Sequence, residues 1–213
     1  MDRALLHSLP VDGEGWLSEE TRDDRSRLDC DRVWIVDPLD GTREFVMGIP
    51  EWCVSVGLVV GGRAVAGGVL SPTTGDRIVG SVDDGVIHNG RSVGCTGVTD
   101  LRGALVLASR SEVKRGEWAG FFKEPIAVRN MGSVAYKLAL VAAGVADATW
   151  TLVPKNEWDI AGGAALVTAA GGDVFGLDFG PVAFNQPDPL KPGFVATSAG
   201  LSAATKSLLN RHI

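Results

Sequence analysis

The stretch Trp34-Ile35-Val36-Asp37-Pro38-Leu39-Asp40-Gly41-Thr42 decides how this chain is read. Its opening apolar residues suit a buried strand. Pro38 has no amide hydrogen to give a sheet ladder, which predicts that the strand ends at Asp37. Asp37 and Asp40 then flank the proline turn, Leu39 offers a backbone carbonyl between them, and Gly41 lets backbone approach closely before Thr42. Such a turn lets the two carboxylates converge on one point. The same spacing also fits a simple turn in which both aspartates accept from nearby backbone donors.

Working outward, the first thirty residues are polar, with mixed charge and little periodicity. Downstream, Val54–Val60 and Ala64–Leu70 joined by Gly61-Gly62-Arg63 read as a hairpin. Arg77–Ser81 and Val86–His88 extend it into an antiparallel meander, with turn signals at Asp83-Asp84-Gly85 and Asn89-Gly90. Later the texture alternates. Strands are predicted at Ala104–Ala108, Pro125–Arg129, Ala146–Trp150 and Gly193–Thr197. Helices are predicted at Glu117–Phe122, Ser133–Ala143, Glu157–Ala169 and Ser202–Leu209. The expected class is α/β, with an α+β N-terminal half built on an antiparallel sheet (1–102) and an α/β C-terminal half (103–213).

At 213 residues, 45% hydrophobic and 22% charged, the chain is long and apolar enough to bury a core. A net charge of −6 argues against binding a nucleic-acid polymer, which needs a basic surface. No apolar run approaches the roughly 20 residues of a membrane span, and Met1-Asp2-Arg3 does not open a signal peptide, so a cytoplasmic location is expected. Cys30, Cys53 and Cys95 are far apart, and His7, His88 and His212 are isolated. That composition excludes a disulfide framework and most zinc chemistry. A bound metal would have to be held by carboxylates, which favours Mg²⁺.

Two further acidic segments stand out. Glu19-Glu20 follows Trp16-Leu17-Ser18, where adjacent glutamates also fit solvated charge at a helix start. Asp159 lies in the first turn of a predicted helix whose next residues, Ala161 to Ala165, are all small. An acid there can simply face the helix dipole, or it can be a buried group held at a fixed point.

Together these segments resemble the inositol monophosphatase family of Mg²⁺-dependent, lithium-sensitive phosphomonoesterases. Glu19-Glu20 with WIVDPLDGT is similar to the family's first signature and its upstream glutamate, and WDIAGGAALVTAAGG (Trp158–Gly172) to its second. MGSVAYKLALVAAGVAD (Met131–Asp147) resembles the stretch between them that lines the substrate pocket. The resemblance implies a layered αβαβα sandwich of the sugar-phosphatase type, a homodimer, and two or three Mg²⁺ ions. It further implies that Glu19, Asp37, Asp40 and Asp159 bind metal, with the Leu39 carbonyl as a further ligand. Glu19, Asp37 and Thr42 would be catalytic, while Asp40, Gly41, Thr42, Gly132, Ser133 and Asp159 would face the substrate. The implied reaction is in-line attack of an activated water on phosphorus.

In the inositol-specific branch an acidic residue lies where this chain has Leu152. Ser109-Arg110-Ser111, Lys137 and Lys155 instead resemble the 3'(2'),5'-bisphosphate nucleotidase branch, and Arg110 or Lys137 would meet the second phosphate. Lys137 also fits a solvated lysine on an amphipathic helix, and Ser133 an ordinary N-cap. The expected substrate is a bisphosphate nucleotide such as adenosine 3',5'-bisphosphate, with inositol-1-phosphate or another sugar phosphate as the alternative. Family members carry a further N-terminal helical segment whose acid partners the motif threonine, and neither Asp2 nor Asp12 has the surrounding pattern. A truncated chain, or a catalytically impaired phosphometabolite-binding protein, is therefore also expected, with an apolar sheet face left open for a second subunit.

Overall fold

The computed structural model describes residues 2–213. It begins with helix α1 (Asp2–Ser8), which buries none of its residues, and strand β1 (Gly15–Ser18). Both fall in the stretch whose sequence looked unpatterned. β1 pairs in parallel with β2 (Arg32–Asp40), setting Leu17 beside Ile35 and Ser18 beside Val36. β2 does not stop at Asp37 as Pro38 predicted. Its register against β3 (Cys53–Val60) slips between Asp37 and Asp40, so the proline occupies an irregularity where no ladder donor is required.

After the short helix α2 (Thr42–Val46), β3 turns through Gly61 (φ 54°) and Gly62 (φ 77°) into β4 (Arg63–Ser71). β5 (Asp76–Ser81), β6 (Gly85–His88) and β7 (Arg91–Val93) complete the predicted meander. The seven strands lie in sequence order, and only the β1–β2 pair is parallel. Leu70, Val79 and Ile87 on β4 to β6 remain exposed.

The second sheet is built from β8 (Leu105–Ser109), β9 (Ala127–Met131) and β10 (Ala148–Thr151), with helix α3 (Arg110–Lys114) after β8 and α4 (Val134–Ala142) after β9. A short strand β11 (Lys155–Asn156) leads into helix α5 (Glu157–Ala169) and β12 (Gly172–Phe175). β13 (Leu190–Lys191) pairs with β11, and β14 (Phe194–Ser198) precedes the closing helix α6 (Ser202–Leu209). The sheet order is β12-β14-β10-β8-β9.

The helix predicted over Glu117–Phe122 does not form. α3 precedes it, Gly116 (φ 84°) breaks the run, and Phe121–Lys123 makes a single 3-10 turn. The apolar residues responsible for the prediction serve a different purpose: Trp118 and Phe121 are buried against Trp150, with ring centroids 5.1 and 5.3 Å away.

α4 and α5 form the central layer. α5 lies flush on the first sheet because glycine meets glycine: a Cβ on Gly57 would stand 2.7 Å from the Gly162 nitrogen. That close approach brings the start of α5 to the end of β2. Every residue of α4 is buried, so the amphipathic helix expected there is a core helix instead. No helix among the described residues is long and apolar enough to cross a membrane.

Candidate metal centre

Asp37 and Asp40 leave β2 on either side of the proline irregularity, and Asp159 enters from the first turn of α5. One carboxylate oxygen from each lies within 4.8 Å of the others. Asp37 and Asp40 are only 1% and 7% exposed. Each acid is held by hydrogen-bond donors, local for Asp37 and Asp159 and from the start of α4 for Asp40. Asp37 Oδ1 accepts from the Leu39 amide at 2.9 Å, and Asp159 Oδ2 accepts from the Asn156 amide at 2.9 Å within a capping box. Asp40 Oδ2 accepts from Ser133 Oγ at 2.5 Å and from the Ala135 amide at 2.6 Å.

Glu19 is exposed and is not one of the three converging acids. Even so, the parallel pairing of β1 with β2, continued by its amide on the Val36 carbonyl at 3.3 Å, sets its carboxyl beside Asp37. Asp2 braces the same turn, accepting from Ser18 Oγ and Thr21 Oγ1, each at 2.6 Å, and so does not partner Thr42. The Thr42 hydroxyl donates instead to the Leu39 carbonyl at 3.2 Å.

Burial, with repulsion from Asp40 and Glu19, pushes the Asp37 carboxyl up to about 10. Burial and Asp40 push Asp159 to about 7. Asp40 and Glu19 are raised as well, burial being the first cause in both. Buried hard oxygens that converge and repel are suited to a divalent cation, which removes the reason for holding protons there. The donor set therefore fits Mg²⁺.

Beside the acids lies a cleft of about 340 Å³, lined by Asp40 and Asp159, by Gly41, Thr42, Glu44, Gly132 and Ser133, and by Ser109, Arg110, Ser111, Arg115 and Lys155. Lys137 also lines it, but the solvated lysine considered from sequence is wrong. It is 3% exposed, its Nζ donates to the Ser133 carbonyl at 2.8 Å, and burial lowers its pKa against the pull of Asp40. Arg110 reaches the cleft already paired, to Glu51 through Nη2 and to Glu44 at 3.8 Å. Glu51 also accepts the Gly132 amide at 2.8 Å. Leu152 is half-buried against the apolar cluster of the second sheet and does not line the cleft.

Three acids went unnoticed in the sequence. Glu51 anchors Arg110, Glu112 lies fully buried beneath the cleft, and Glu157 is fully buried at the start of α5. Glu157 accepts the Asn185 and Gln186 amides at 2.7 and 3.1 Å and Lys191 Nζ at 2.8 Å. Short acids in a polar context read as solvated, and nothing local marks them otherwise.

The model of the inositol monophosphatase family matches residues 4–213. The chain belongs to the inositol monophosphatase family. It is 34% identical over 206 residues to an inositol-1-monophosphatase of Mesorhizobium japonicum, covering 93% of this chain and 77% of that protein. It is 35% identical over 201 residues to a 3'-phosphoadenosine 5'-phosphate phosphatase of Mycobacterium leprae, covering 89% and 71%. Among solved structures, Mycobacterium tuberculosis SuhB superposes with a TM-score of 0.77 at 29% identity, over 99% of this chain and 80% of that one. An inositol monophosphatase from Anabaena shares the fold with a TM-score of 0.82 at 24% identity, over 98% and 82%. As a member of this family the chain is a phosphoric monoester hydrolase.

Proposed function

We propose that this family member is a Mg²⁺-dependent phosphomonoesterase that removes one phosphate from a 3'(2'),5'-bisphosphate nucleotide such as adenosine 3',5'-bisphosphate. The observation that carries the reading is the lining of the cleft, which sets Asp40 and Asp159, next to Asp37, together with Lys137, Lys155, Arg110 and Arg115. A substrate bearing one phosphate to be cleaved and another to be held matches that combination of acids and cations. A polyol ring asks for acceptors opposite its hydroxyls, and position 152 offers only a half-buried leucine outside the cleft lining.

In this reading Glu19, Asp37, Asp40 and Asp159, with the Leu39 carbonyl, hold two or three Mg²⁺ ions. When bound, the cations neutralise charge on the attacking and leaving oxygens. The chain's own groups do the positioning. Ser133 and the Ala135 amide fix the Asp40 carboxylate. Gly41, at φ 95°, lets the Asp40–Thr42 turn pack against the Glu51–Trp52 backbone, where a Cβ would stand 2.9 Å from the Glu51 carbonyl oxygen. Glu19 and Thr42 orient the attacking water. Lys137 sets a buried positive charge beside Asp40 and so limits repulsion among the acids.

A homodimer belongs to the same reading, supported by the exposed apolar run Phe45, Val46 and Met47 (50%, 78% and 59%) beside the site, and light scattering of the purified protein tests it. The three free thiols suit a cytoplasmic location.

Phosphate release with Mg²⁺ from adenosine 3',5'-bisphosphate, inositol-1-phosphate and fructose-1,6-bisphosphate tests the function. The bisphosphate nucleotide is expected to give the highest kcat/KM. Preference for inositol-1-phosphate would overturn the substrate assignment, and no release from any of them would overturn the activity.

A further inference from the structure

The cations around the cleft are not equivalent. Lys137 Nζ is committed to the Ser133 carbonyl, and Arg110 gives Nη2 to Glu51, while its buried Nε, 3.8 Å from Glu44, makes no hydrogen bond. Arg115 gives Nε and Nη2 to Glu117 at 2.7 and 3.0 Å. Arg43 lines the cleft but is exposed, with nothing to fix its direction. Lys155 differs from all of these. Its side chain is 17% exposed and lines the cleft, yet among the described residues its ammonium makes no hydrogen bond. The nearest carboxylate oxygen, Glu112 Oε1, is 3.8 Å away, close enough to attract and too far to satisfy a donor.

Glu112 is itself immobilised. It is 0% exposed, with one oxygen accepting from Thr151 Oγ1 and the other from Trp118 Nε1 at 3.3 Å. The Lys155 backbone is fixed as well: β11 pairs with β13, and Lys191 of β13 is held by Glu157 at 2.8 Å. The result is a positive charge with restricted freedom and unused donors at the cleft wall. Such a group binds an anion without first paying much ordering entropy.

We infer that Lys155, held by the buried Glu112, is the residue that recognises the second, uncleaved phosphate of the substrate. The inference rests on the bisphosphate reading above and adds the residue responsible for it. A rival role is general counter-charge, because the Lys155 ammonium also lowers the pKa of Asp40 and Asp159. Counter-charge would affect every substrate alike, whereas recognition of a second phosphate affects only substrates that carry one.

Steady-state kinetics on adenosine 3',5'-bisphosphate and adenosine 3'-monophosphate, with wild type, Lys155→Met, Lys155→Arg and Glu112→Gln, separate these. Wild type is expected to prefer the bisphosphate at least tenfold in kcat/KM. Lys155→Met should remove that preference through a raised KM for the bisphosphate, Lys155→Arg should restore most of it, and Glu112→Gln should weaken it. Equal losses on both substrates in Lys155→Met, or a preference that survives in it, would overturn the inference while leaving the bisphosphate reading standing. A wild-type enzyme without the preference would overturn that reading and this inference together. Melting temperatures of the variants confirm that the comparison is among folded proteins.

Discussion

Ser133 holds Asp40 from a strained position: its Oγ donates to Asp40 Oδ2 at 2.5 Å while its backbone sits at φ 54°. The same oxygen accepts from the Tyr136 amide at 3.0 Å and caps α4. One hydroxyl thus ties the start of a fully buried helix to a carboxylate of the candidate metal centre. Ser133→Ala removes a cap worth about 0.5–2 kcal/mol and a bond to a charged group worth roughly 1.5–3 kcal/mol. It is expected to lower the melting temperature by several degrees and to reduce turnover. Ser133→Gly loses the same bonds but tolerates the positive φ, so it should melt higher than the alanine variant at equally low activity. Equal melting temperatures for the two variants would contradict a strained serine.

Stability without metal should depend on pH in an unusual direction. Asp37 and Asp159 are raised in the folded chain, to about 10 and about 7, from the ordinary carboxylate value of 3.8. The folded state therefore keeps protons that the unfolded chain releases above 3.8, and these groups stabilise folding least at high pH. In a chelating buffer the melting temperature is expected to fall steadily from pH 5 to pH 9. Mg²⁺ should flatten that slope, because the cation favours the ionised acids. A profile that is flat or rising in chelator would contradict the coupling among Asp37, Asp40 and Asp159.

Asp37→Asn separates the site's function from its cost to stability. Asparagine keeps an acceptor for the Leu39 amide but cannot ionise. Turnover is expected to disappear, and the rise in melting temperature on adding Mg²⁺ should shrink with it. At pH 8 in chelator the variant should melt at or above wild type. An active Asp37→Asn enzyme would remove Asp37 from the metal centre.

Much of this architecture was legible because period and punctuation agreed. The Gly61-Gly62 hairpin formed, and α5 and α6 occupy the residues that their patterns predicted. β1 was hidden because a four-residue strand among polar neighbours has no period to read, and its value lies in long-range parallel pairing. That pairing is what brings Glu19 to Asp37, so the motif could suggest their meeting but local pattern could not derive it. Pro38 misled for the opposite reason. Its local rule was sound, but the register slip left it without a hydrogen-bond obligation. Lys137 and Glu112 look like surface charges along the chain, and only tertiary packing buries them.

Glu157 gives the last test, because it joins the helix start that carries Asp159 to a loop far along the chain. It is 0% exposed and bonds two backbone amides and Lys191 two residues before Asp159. Glu157→Ala would leave the Asn185 and Gln186 amides without an acceptor and Lys191, 14% exposed at its side chain, without a partner. Breaking a buried pair from one side costs about 3–5 kcal/mol, and each kcal/mol shifts melting by roughly 2–4 °C in a chain of this size. A loss of about 6 °C or more is therefore expected for Glu157→Ala. Lys191→Met should lose less, since Glu157 keeps its two amide donors. The double variant should lose less than the sum of the singles, which a double-mutant cycle reads directly. Additive losses would mean that Glu157 and Lys191 stabilise the loop independently, and that the first turn of α5 does not depend on their contact.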